Sequence, residues 1–253
     1  MLYDLPRPIV FAHRGSSAHA PENTLSAFTL AIQQGADAIE LDTMLSADDQ
    51  VVVIHDEKLD RIAGIQKEVK HLSLSELKTL DVGNYFNSAY KGEHIPTLSE
   101  VFETCGKKIF INIELKNLST PSDDLPKKVA DLVEQFGVEG HIIFSSFNPI
   151  ALIRIRQYLP EIPIGLLADS GWKGYWARSG IGSLLKYDAL HPWIGDVSAK
   201  LVDHTHRHGK RVHVYTVNNP EDIQRMKALN VDGIFSDDPL MALKILNRGA
   251  SKS

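Results

Sequence analysis

The chain has 253 residues, 43% of them hydrophobic, and a formal net charge of −5, the profile of a globular protein with one large domain or two modest ones. The mildly acidic balance argues against nucleic acid as a partner, and the lack of a signal-peptide pattern or of an apolar run near ~20 residues argues against stable membrane association. A lone cysteine, Cys105, excludes an internal disulfide and favours a reducing compartment, so we expect a cytoplasmic location.

The predicted elements alternate between strands and helices along nearly the whole chain. Runs of β-forming residues predict strands at 8–13, 36–42, 51–56, 108–116, 141–145, 162–167, 188–191, 211–217 and 232–236. Amphipathic patterns predict helices at 23–35, 124–136, 148–158, 196–208, 219–229 and 238–247. Asn23 or Thr24 can cap the first helix, and Gly35 can end it.

This alternation predicts a parallel sheet, because strand–helix–strand units with short connections cover the sheet with helices. Counting the region 36–56 as one unit gives eight strands. We therefore expect an α/β fold of the closed (β/α)8 type, a TIM barrel, as a single domain over residues 1–253. An open doubly wound sheet is the alternative, and the absence of a G-x-G-x-x-G loop after the first strand disfavours it.

Residues 57–107 interrupt the alternation. They hold helical patterns at 73–80 and 97–105 around a loop rich in aromatic residues and glycine, with no strong strand. We expect this segment to be an insertion after the second strand unit, folded over the barrel mouth. The last six residues, 248–253, are expected to fray.

Carboxylates lie on the inward faces of two predicted strands. Side chains alternate along a strand, and the C-terminal strand ends build the site of such a barrel, so Glu40, Asp42 and Glu114 are expected to converge. Converging carboxylates repel one another and resist burial, which a divalent cation relieves, and oxygen ligands favour Mg²⁺ or Ca²⁺. The alternative is an ion-pair network without metal, in which Lys116 and Arg14 neutralise the carboxylates.

Two histidines stand at the ends of predicted strand units. His13 ends the first strand and His55 ends the second unit, and an imidazole pKa of ~6.5 suits an acid and base at neutral pH. Arg14 offers a planar guanidinium that matches phosphate oxygens. Asp56 could orient a neighbour, but strand alternation places its side chain away from the face of His55.

The order and spacing of these groups carry a resemblance. HR (13–14), ELD (40–42) and HD (55–56) together resemble the signature of the glycerophosphodiester phosphodiesterase family. Supporting pieces follow along the chain at PENT (21–24), IPTL (95–98), IELK (113–116), SF (146–147), YTVN (215–218) and DGIFSDDP (232–239). The similarity covers essentially the whole sequence, including the insertion.

The resemblance implies a role for each matching residue. In the family, the positions matching Glu40, Asp42 and Glu114 bind the metal. Those matching His13 and His55 do the acid–base work, and those matching Arg14 and Lys116 hold the phosphate. Tyr215 stands where the family usually has Trp, so it keeps an aromatic wall for the substrate but adds a hydroxyl.

The implied reaction is metal-dependent hydrolysis of a glycerophosphodiester to sn-glycerol 3-phosphate and an alcohol. The attacking oxygen is either water or the glycerol 2-hydroxyl, whose proximity to phosphorus gives it a high effective molarity. We expect His13 to be the base and His55 the acid, although their symmetric placement makes the roles interchangeable.

Three other functions fit parts of the pattern. A lysophospholipase D would need an apolar groove or a membrane-facing helix, and the sequence shows no amphipathic membrane helix. A barrel lyase or aldolase could use Lys116 for a Schiff base, but the paired histidines and Arg14 favour phosphoryl chemistry. A non-catalytic phosphate-binding barrel is disfavoured because the key positions are intact. Neither the head group nor the oligomeric state follows from the sequence.

Overall fold

The structure is a computed structural model that describes residues 2–179, 182 and 184–248. Its strands are β1 (Ile9–Ala12), β2 (Ala38–Leu45), β3 (Val51–Val53), β4 (Phe110–Leu115), β5 (Ile142–Ser146), β6 (Ile164–Ala168), β7 (Ala189–Pro192), β8 (Arg211–Val214) and β9 (Gly233–Ser236). From β4 to β9 each strand pairs in parallel with the next, and β1 pairs with both β9 and β2. Because β3 only adds an antiparallel arm to β2, eight parallel strands close the TIM barrel expected from the sequence.

Helices follow the strands on the outside of the barrel. The described helices are α1 (Leu25–Gln33), α2 (Asp60–Ala63), α3 (Leu74–Leu77), α4 (Leu98–Cys105), α5 (Leu125–Phe136), α6 (Pro149–Tyr158), α7 (Tyr175–Arg178), α8 (Ala199–Arg207), α9 (Pro220–Ala228) and α10 (Pro239–Ile245). Thr24 caps α1, since its side chain accepts a hydrogen bond from the Ala27 N–H. Across the residues that the structure describes, no helix is both long and apolar enough to cross a membrane.

Two expected boundaries, those of β8 and α3, were wrong. The strand predicted at 211–217 ends at Val214, because the Val217 N–H turns to the carbonyl of Phe235 instead of continuing the ladder. The helical pattern at 73–80 forms only the short α3, closed by 3-10-type hydrogen bonds such as Leu80 N–H to Leu77 O.

The end of the chain also departs from expectation. Residues 249–253 lie outside the described residues. Arg248, which we expected to fray, donates to the carbonyl of Pro8 at 2.8 Å and pairs with Asp37.

Two apolar layers position the strands. Between the strands and the outer helices, the outward faces of β4 and its neighbours pack against α4, α5 and α6. Inside the barrel, Phe11 stacks on Phe235 with ring centroids 4.7 Å apart. The buried rings of His191 and His213 pack beside them. Because side chains fill the interior, the barrel is a packed core and its site lies at the C-terminal mouth.

Within the segment 57–107, the part that precedes α4 packs on the arm formed by β2 and β3, whereas α4 packs in the outer layer of the barrel. In the part before α4, Leu59, Ile62, Leu77 and Ile95 are buried with residues of that arm in one apolar cluster. This cluster fixes α2, and with it the charged residues that α2 presents toward the mouth.

Candidate active site

A cavity of about 190 Å³ opens at the C-terminal ends of the barrel strands. Seven of the eight site residues expected from the sequence line it, namely His13, Arg14, Glu40, His55, Glu114, Lys116 and Tyr215. The eighth, Asp42, is buried beside Glu40 and Glu114. The structure therefore brings together the residues that the sequence placed in one site.

The three carboxylates converge as strand alternation predicts. Glu40 and Asp42 occupy successive inward positions of β2, and Asp42 is paired in register with Glu114 of β4. One oxygen from each side chain lies within 4.8 Å of the other two. This spacing is compatible with three oxygen ligands around one divalent ion.

The charges around these carboxylates do not balance. Lys116 Nζ lies 3.6 Å from Glu114 Oε1 and 3.7 Å from Asp42 Oδ1, and Arg14 Nε lies 3.4 Å from Asp42 Oδ2. Burial raises the pKa of Glu40, which repulsion from Asp42 and Glu114 raises further, and burial also raises the pKa of Glu114. Burial opposes ionisation of Asp42 as well, but Lys116 and Arg14 hold its pKa below the usual range. When all three carboxylates are ionised they exceed the two cations by one negative charge, and the raised pKa values of Glu40 and Glu114 reflect this excess, which a bound cation would neutralise.

Each histidine has a carboxylate partner at Nδ1. His13 Nδ1 lies 2.6 Å from Asp237 Oδ1, and His55 Nδ1 lies 2.6 Å from Asp56 Oδ1. The other oxygen of Asp237 accepts from the Asn218 amide. A carboxylate at Nδ1 fixes the ring orientation and leaves Nε2 as the atom for proton transfer. Burial lowers the pKa of His55, and Lys116 acts in the same direction.

The expectation that Asp56 points away from His55 was wrong. It assumed strand geometry through residue 56, but β3 ends at Val53, and Ile54 N–H bonds to the carbonyl of Asp42. His55 and Asp56 therefore lie in a loop, where the period of two no longer applies. The loop lets the Asp56 carboxylate fold back onto the imidazole.

Sequence reasoning also missed three residues that contact the expected site. Asp237 and Glu22 belong to the motifs DGIFSDDP and PENT, but no role was given to either. Asn23, considered only as a helix cap, donates from Nδ2 to Asp42 Oδ2 at 2.8 Å. The available signal for Asp237 was its place directly after β9, because residues following barrel strands face the mouth.

The loop after β1 presents Arg14 in an uncommon backbone conformation. Its φ of +56° lies in the left-handed region, and its N–H donates to Glu40 Oε2 at 2.9 Å. Gly15 follows at φ +85°, where an added Cβ would lie 2.6 Å from the Cβ of Ala27, so only glycine allows α1 to approach this closely. The Arg14 Nη1 donates to Glu22 Oε1, whereas its buried Nε makes no hydrogen bond within the described part of the chain.

Tyr215 forms one wall of the cavity. Its ring meets Phe147 edge-to-face, with centroids 6.0 Å apart, and its hydroxyl donates to the carbonyl of Ala168 at 2.8 Å. Burial raises the pKa of this hydroxyl, so it stays protonated at neutral pH. The Tyr215 hydroxyl is thus held by the last residue of β6.

Known proteins resemble this chain over nearly its full length. The sequence profile of the glycerophosphoryl diester phosphodiesterase family matches residues 13–241. A glycerophosphodiester phosphodiesterase of Caldanaerobacter subterraneus subsp. tengcongensis is 38% identical, over 96% of this chain and 99% of the relative. One from Bacillus altitudinis is 35% identical, over 93% of this chain and 97% of that protein.

A solved structure extends the likeness to the fold. An Oleispira antarctica phosphodiesterase in complex with the product sn-glycerol-3-phosphate is 31% identical and superposes with a TM-score of 0.86 over 97% of this chain and 99% of that one. With the family match and the curated relatives, this likeness shows that the chain is a phosphodiesterase of the glycerophosphoryl diester phosphodiesterase family.

Proposed function

We propose that this protein hydrolyses a glycerophosphodiester to sn-glycerol 3-phosphate and a free alcohol. The observation that carries the proposal is one cavity lined by two histidines, two glutamates, Arg14 and Lys116, with Asp42 buried beside the glutamates and a carboxylate behind each histidine. The Oleispira antarctica phosphodiesterase, which binds sn-glycerol-3-phosphate, supports the identity of the product.

Glu40, Asp42 and Glu114 would hold one divalent cation, Mg²⁺ or Ca²⁺. The donor set fits, because all three ligands are oxygens and because the three carboxylates, once ionised, carry one more charge than Lys116 and Arg14 offset. When bound, the cation would withdraw charge from the phosphoryl oxygens.

The cationic side chains would hold the phosphate. Arg14 Nε is a buried donor that lacks a hydrogen bond to any described residue, so a phosphoryl oxygen would satisfy it. Lys116 Nζ contributes a positive charge from the position directly after β4. Tyr215 and Phe147 supply an apolar wall against which the glycerol carbons would pack.

The two histidines would move the protons. His13 Nε2 takes the proton from the glycerol 2-hydroxyl as its oxygen bonds to phosphorus, and His55 Nε2 gives a proton to the alcohol oxygen as its bond to phosphorus breaks. The cyclic phosphate that results is opened by water, with the two histidines exchanging roles, to give sn-glycerol 3-phosphate.

We also propose that residues 57–107 form an insertion whose part before α4 covers one side of the mouth, while α4 belongs to the outer helical layer of the barrel. Three contacts support this placement: Tyr90 Oη donates to the His19 carbonyl, Ser26 Oγ donates to Glu93, and Arg61 pairs with Glu22. A second cavity, of about 240 Å³, includes Glu57 and Glu68 of the segment and shares Lys116 with the site. The leaving alcohol would extend into this space.

We propose a cytoplasmic location, which fits a chain whose lone cysteine forms no disulfide. Cys105 is free and buried, and burial raises the pKa of its thiol to about 11, which leaves it unreactive. We propose a small glycerophosphodiester as the substrate, with neither nucleic acid nor membrane as a stable partner.

The test identifies the bond that breaks. Purified protein is given glycerophosphocholine, glycerophosphoethanolamine or glycerophosphoglycerol with Mg²⁺ or Ca²⁺, and sn-glycerol 3-phosphate is measured with a coupled dehydrogenase. We expect sn-glycerol 3-phosphate and free alcohol in equal amounts. Release of glycerol and a phosphoalcohol would contradict the proposal, and release of choline and lysophosphatidic acid from lysophosphatidylcholine, with no turnover of the three diesters, would identify a lysophospholipase D instead.

A further inference from the structure

Arg61 lies outside the cavity and is linked through two carboxylates to two residues that line it. Its side chain extends from the short helix α2 in the segment 57–107 and is 44% exposed. Nε donates to Asp56 Oδ2 at 2.6 Å, Nη1 to Glu22 Oε2 at 2.8 Å and Nη2 to Glu22 Oε1 at 2.7 Å. All three guanidinium nitrogens are thus committed to two carboxylates, one of them in a bidentate pair.

Both carboxylates continue into the site. Asp56 Oδ1 contacts His55 Nδ1 at 2.6 Å, and Glu22 Oε1 accepts from Arg14 Nη1 at 3.0 Å. Two short hydrogen-bond chains therefore start at Arg61, one through Asp56 and one through Glu22. One ends at an imidazole and the other at a guanidinium, and both groups line the same cavity.

The negative charges of Glu22 and Asp56 explain why the Arg61 guanidinium is needed between them. Glu22 is mostly buried between two arginines, and the hydrogen bond from Arg61 helps to hold the pKa of Glu22 below its usual range against the effect of burial. Without Arg61, Arg14 would be the remaining cationic partner of Glu22. The stronger attraction would shift the Arg14 guanidinium toward Glu22 and away from the position proposed for the phosphate. Asp56 would keep His55 but lose the contact that fixes its own second oxygen.

The position of Arg61 is itself fixed by packing. The next residue, Ile62, is buried in the apolar cluster beneath the segment, and Gly64 ends α2 in the left-handed region at φ +69°. The backbone of Arg61 is therefore held against the barrel arm. The Arg61 guanidinium therefore holds both Asp56 and Glu22 in a defined position relative to the barrel.

On the basis of the function proposed above, we infer that Arg61 is a positioning residue that holds His55 and Arg14 in one mutual geometry. It touches neither substrate nor cation and acts through Asp56 and Glu22. The segment 57–107 thereby contributes to the chemistry, and not only to the rim of the mouth.

The first test does not depend on activity. Proton NMR of the holoprotein would follow the downfield resonance of the His55 Nδ1 proton, identified by its disappearance in His55→Gln. We expect Arg61→Ala to shift or broaden this resonance. Arg225→Ala is the matched control, because Arg225 is 43% exposed and lies away from the site. Its guanidinium pairs with Asp222 at 3.1 Å. A resonance that is the same in Arg61→Ala and wild type would overturn the inference, whatever the enzyme hydrolyses.

The second test uses sn-glycerol 3-phosphate release. Arg61→Ala should lower kcat/KM by about tenfold to hundredfold, the usual effect of losing an outer orienting partner, while Arg225→Ala stays within about threefold of wild type. Because Arg61 is partly exposed, millimolar guanidinium chloride should restore much of the loss, and sodium chloride at equal ionic strength should not. Arg61→Lys should fall between, since an ammonium cannot reproduce the fork.

Two outcomes would count against Arg61 here. One is a kcat/KM of Arg61→Ala within about threefold of wild type. The other is a loss that guanidinium does not restore and that accompanies a matching fall in Tm, which would make the contact structural. A wild type that releases no sn-glycerol 3-phosphate would instead refute the proposed function, while the NMR comparison would still decide the role of Arg61.

Discussion

His13 and His55 have matched surroundings but different proton tasks in the proposed reaction. Each ring contacts a carboxylate oxygen at 2.6 Å through Nδ1. The partner of His13, Asp237, is further held by the neutral amide of Asn218, whereas the partner of His55, Asp56, is shared with the cation of Arg61. The contacts at Nδ1 are therefore equivalent in length but not in charge.

Replacement of each histidine should separate the two tasks. We expect His13→Ala and His55→Ala to lower kcat for glycerophosphocholine by several orders of magnitude, because general acid–base catalysis contributes about 10²–10⁴-fold per group. On the p-nitrophenyl ester of sn-glycerol 3-phosphate, the leaving phenolate needs no proton. The release of p-nitrophenol in a single turnover, before water opens the cyclic phosphate, should then recover most of its rate in His55→Ala and not in His13→Ala.

Circular dichroism and Tm would show that both variants are folded. A loss below about tenfold in either variant would remove that histidine from the acid–base pair. Recovery in His13→Ala instead of His55→Ala would exchange the two roles.

Asp237 should act through His13. Asp237→Asn keeps the shape but removes the charge that fixes the Nδ1–H of the ring, so we expect kcat to fall by about tenfold or more. Asp238→Asn is the control, because Asp238 pairs with His19 and caps α10, and asparagine caps equally well. Equal activity of the two variants would show that Asp237 does not orient the catalytic ring.

The sequence predicted this site where regular strand geometry holds and failed where it ends. Glu40, Asp42 and Glu114 could be placed on one face because they belong to β2 and β4. The contact between His55 and Asp56 could not, because it depends on a loop that follows β3. The bond from His13 to Asp237 spans 224 residues, and no local pattern reports it.

At the scale of single elements, α4 illustrates a helix defined by its cap. Thr97 accepts from the Glu100 N–H, and the Glu100 carboxylate accepts in return from the Thr97 N–H. Removing this capping box should destabilise the protein, because buried Leu98, Val101 and Phe102 depend on the first turn of α4.

We expect Thr97→Ala to lower the free energy of unfolding by about 1 kcal/mol, the usual cost of an N-cap loss, as measured by urea denaturation. Thr97→Ser retains the hydroxyl and should stay close to wild type. If serine and alanine destabilise the protein equally, the lost methyl rather than the cap is responsible.

Element types followed from the sequence better than element ends did. The period of two in residues 108–116 predicted β4, and the helix predicted at 124–136 is α5, which buries Val129, Ala130 and Val133. The end of β8 at Val214 depends on hydrogen bonds to neighbouring strands, and those partners are distant in the chain. Tertiary contacts therefore set boundaries that local patterns leave open.

The molecule as a whole buries two histidines that the proposed reaction does not use. His191 and His213 are fully buried inside the barrel, with His213 Nδ1 at 3.1 Å from His191 Nε2. Gly165 makes room for them, since an added Cβ would lie 2.3 Å from the His191 ring. Burial lowers the pKa of His191 to about 3 and that of His213 well below its ordinary value.

This pair should make the fold sensitive to acid. In the unfolded chain each imidazole takes up a proton near pH 6.5, while the folded protein keeps both neutral until much lower pH. Stability should therefore fall as the pH drops from about 6.5, at about 1.4 kcal/mol per pH unit for each ring.

Urea denaturation between pH 7 and pH 5 would measure this slope. His213→Gln should reduce the slope by the contribution of one imidazole, about 1.4 kcal/mol per pH unit. This holds whatever change the variant causes in the free energy of unfolding at pH 7. His204→Gln, on the exposed side of α8, should leave the slope unchanged. Identical slopes in wild type and His213→Gln would refute the neutral buried pair.

The barrel itself was predictable because closure needs only the count and order of strand–helix units. The strand count of eight and the insertion-like break at 57–107 both followed from pattern. The buried histidines did not, because His191 and His213 appear in the sequence as ordinary polar residues in short strands. Their burial depends on the space left by Gly165 on a neighbouring strand.

The most direct measurement is the dependence of hydrolysis on the cation. Initial rates of sn-glycerol 3-phosphate release would be recorded for the wild type and Glu114→Gln in EDTA, and again with excess Mg²⁺ or Ca²⁺. We expect no turnover in EDTA, full recovery of the wild type with at least one cation, and a much weaker response in Glu114→Gln, because that variant loses one of three ligand charges. A wild-type rate that persists undiminished in excess EDTA would show that Glu40, Asp42 and Glu114 serve this site without a metal.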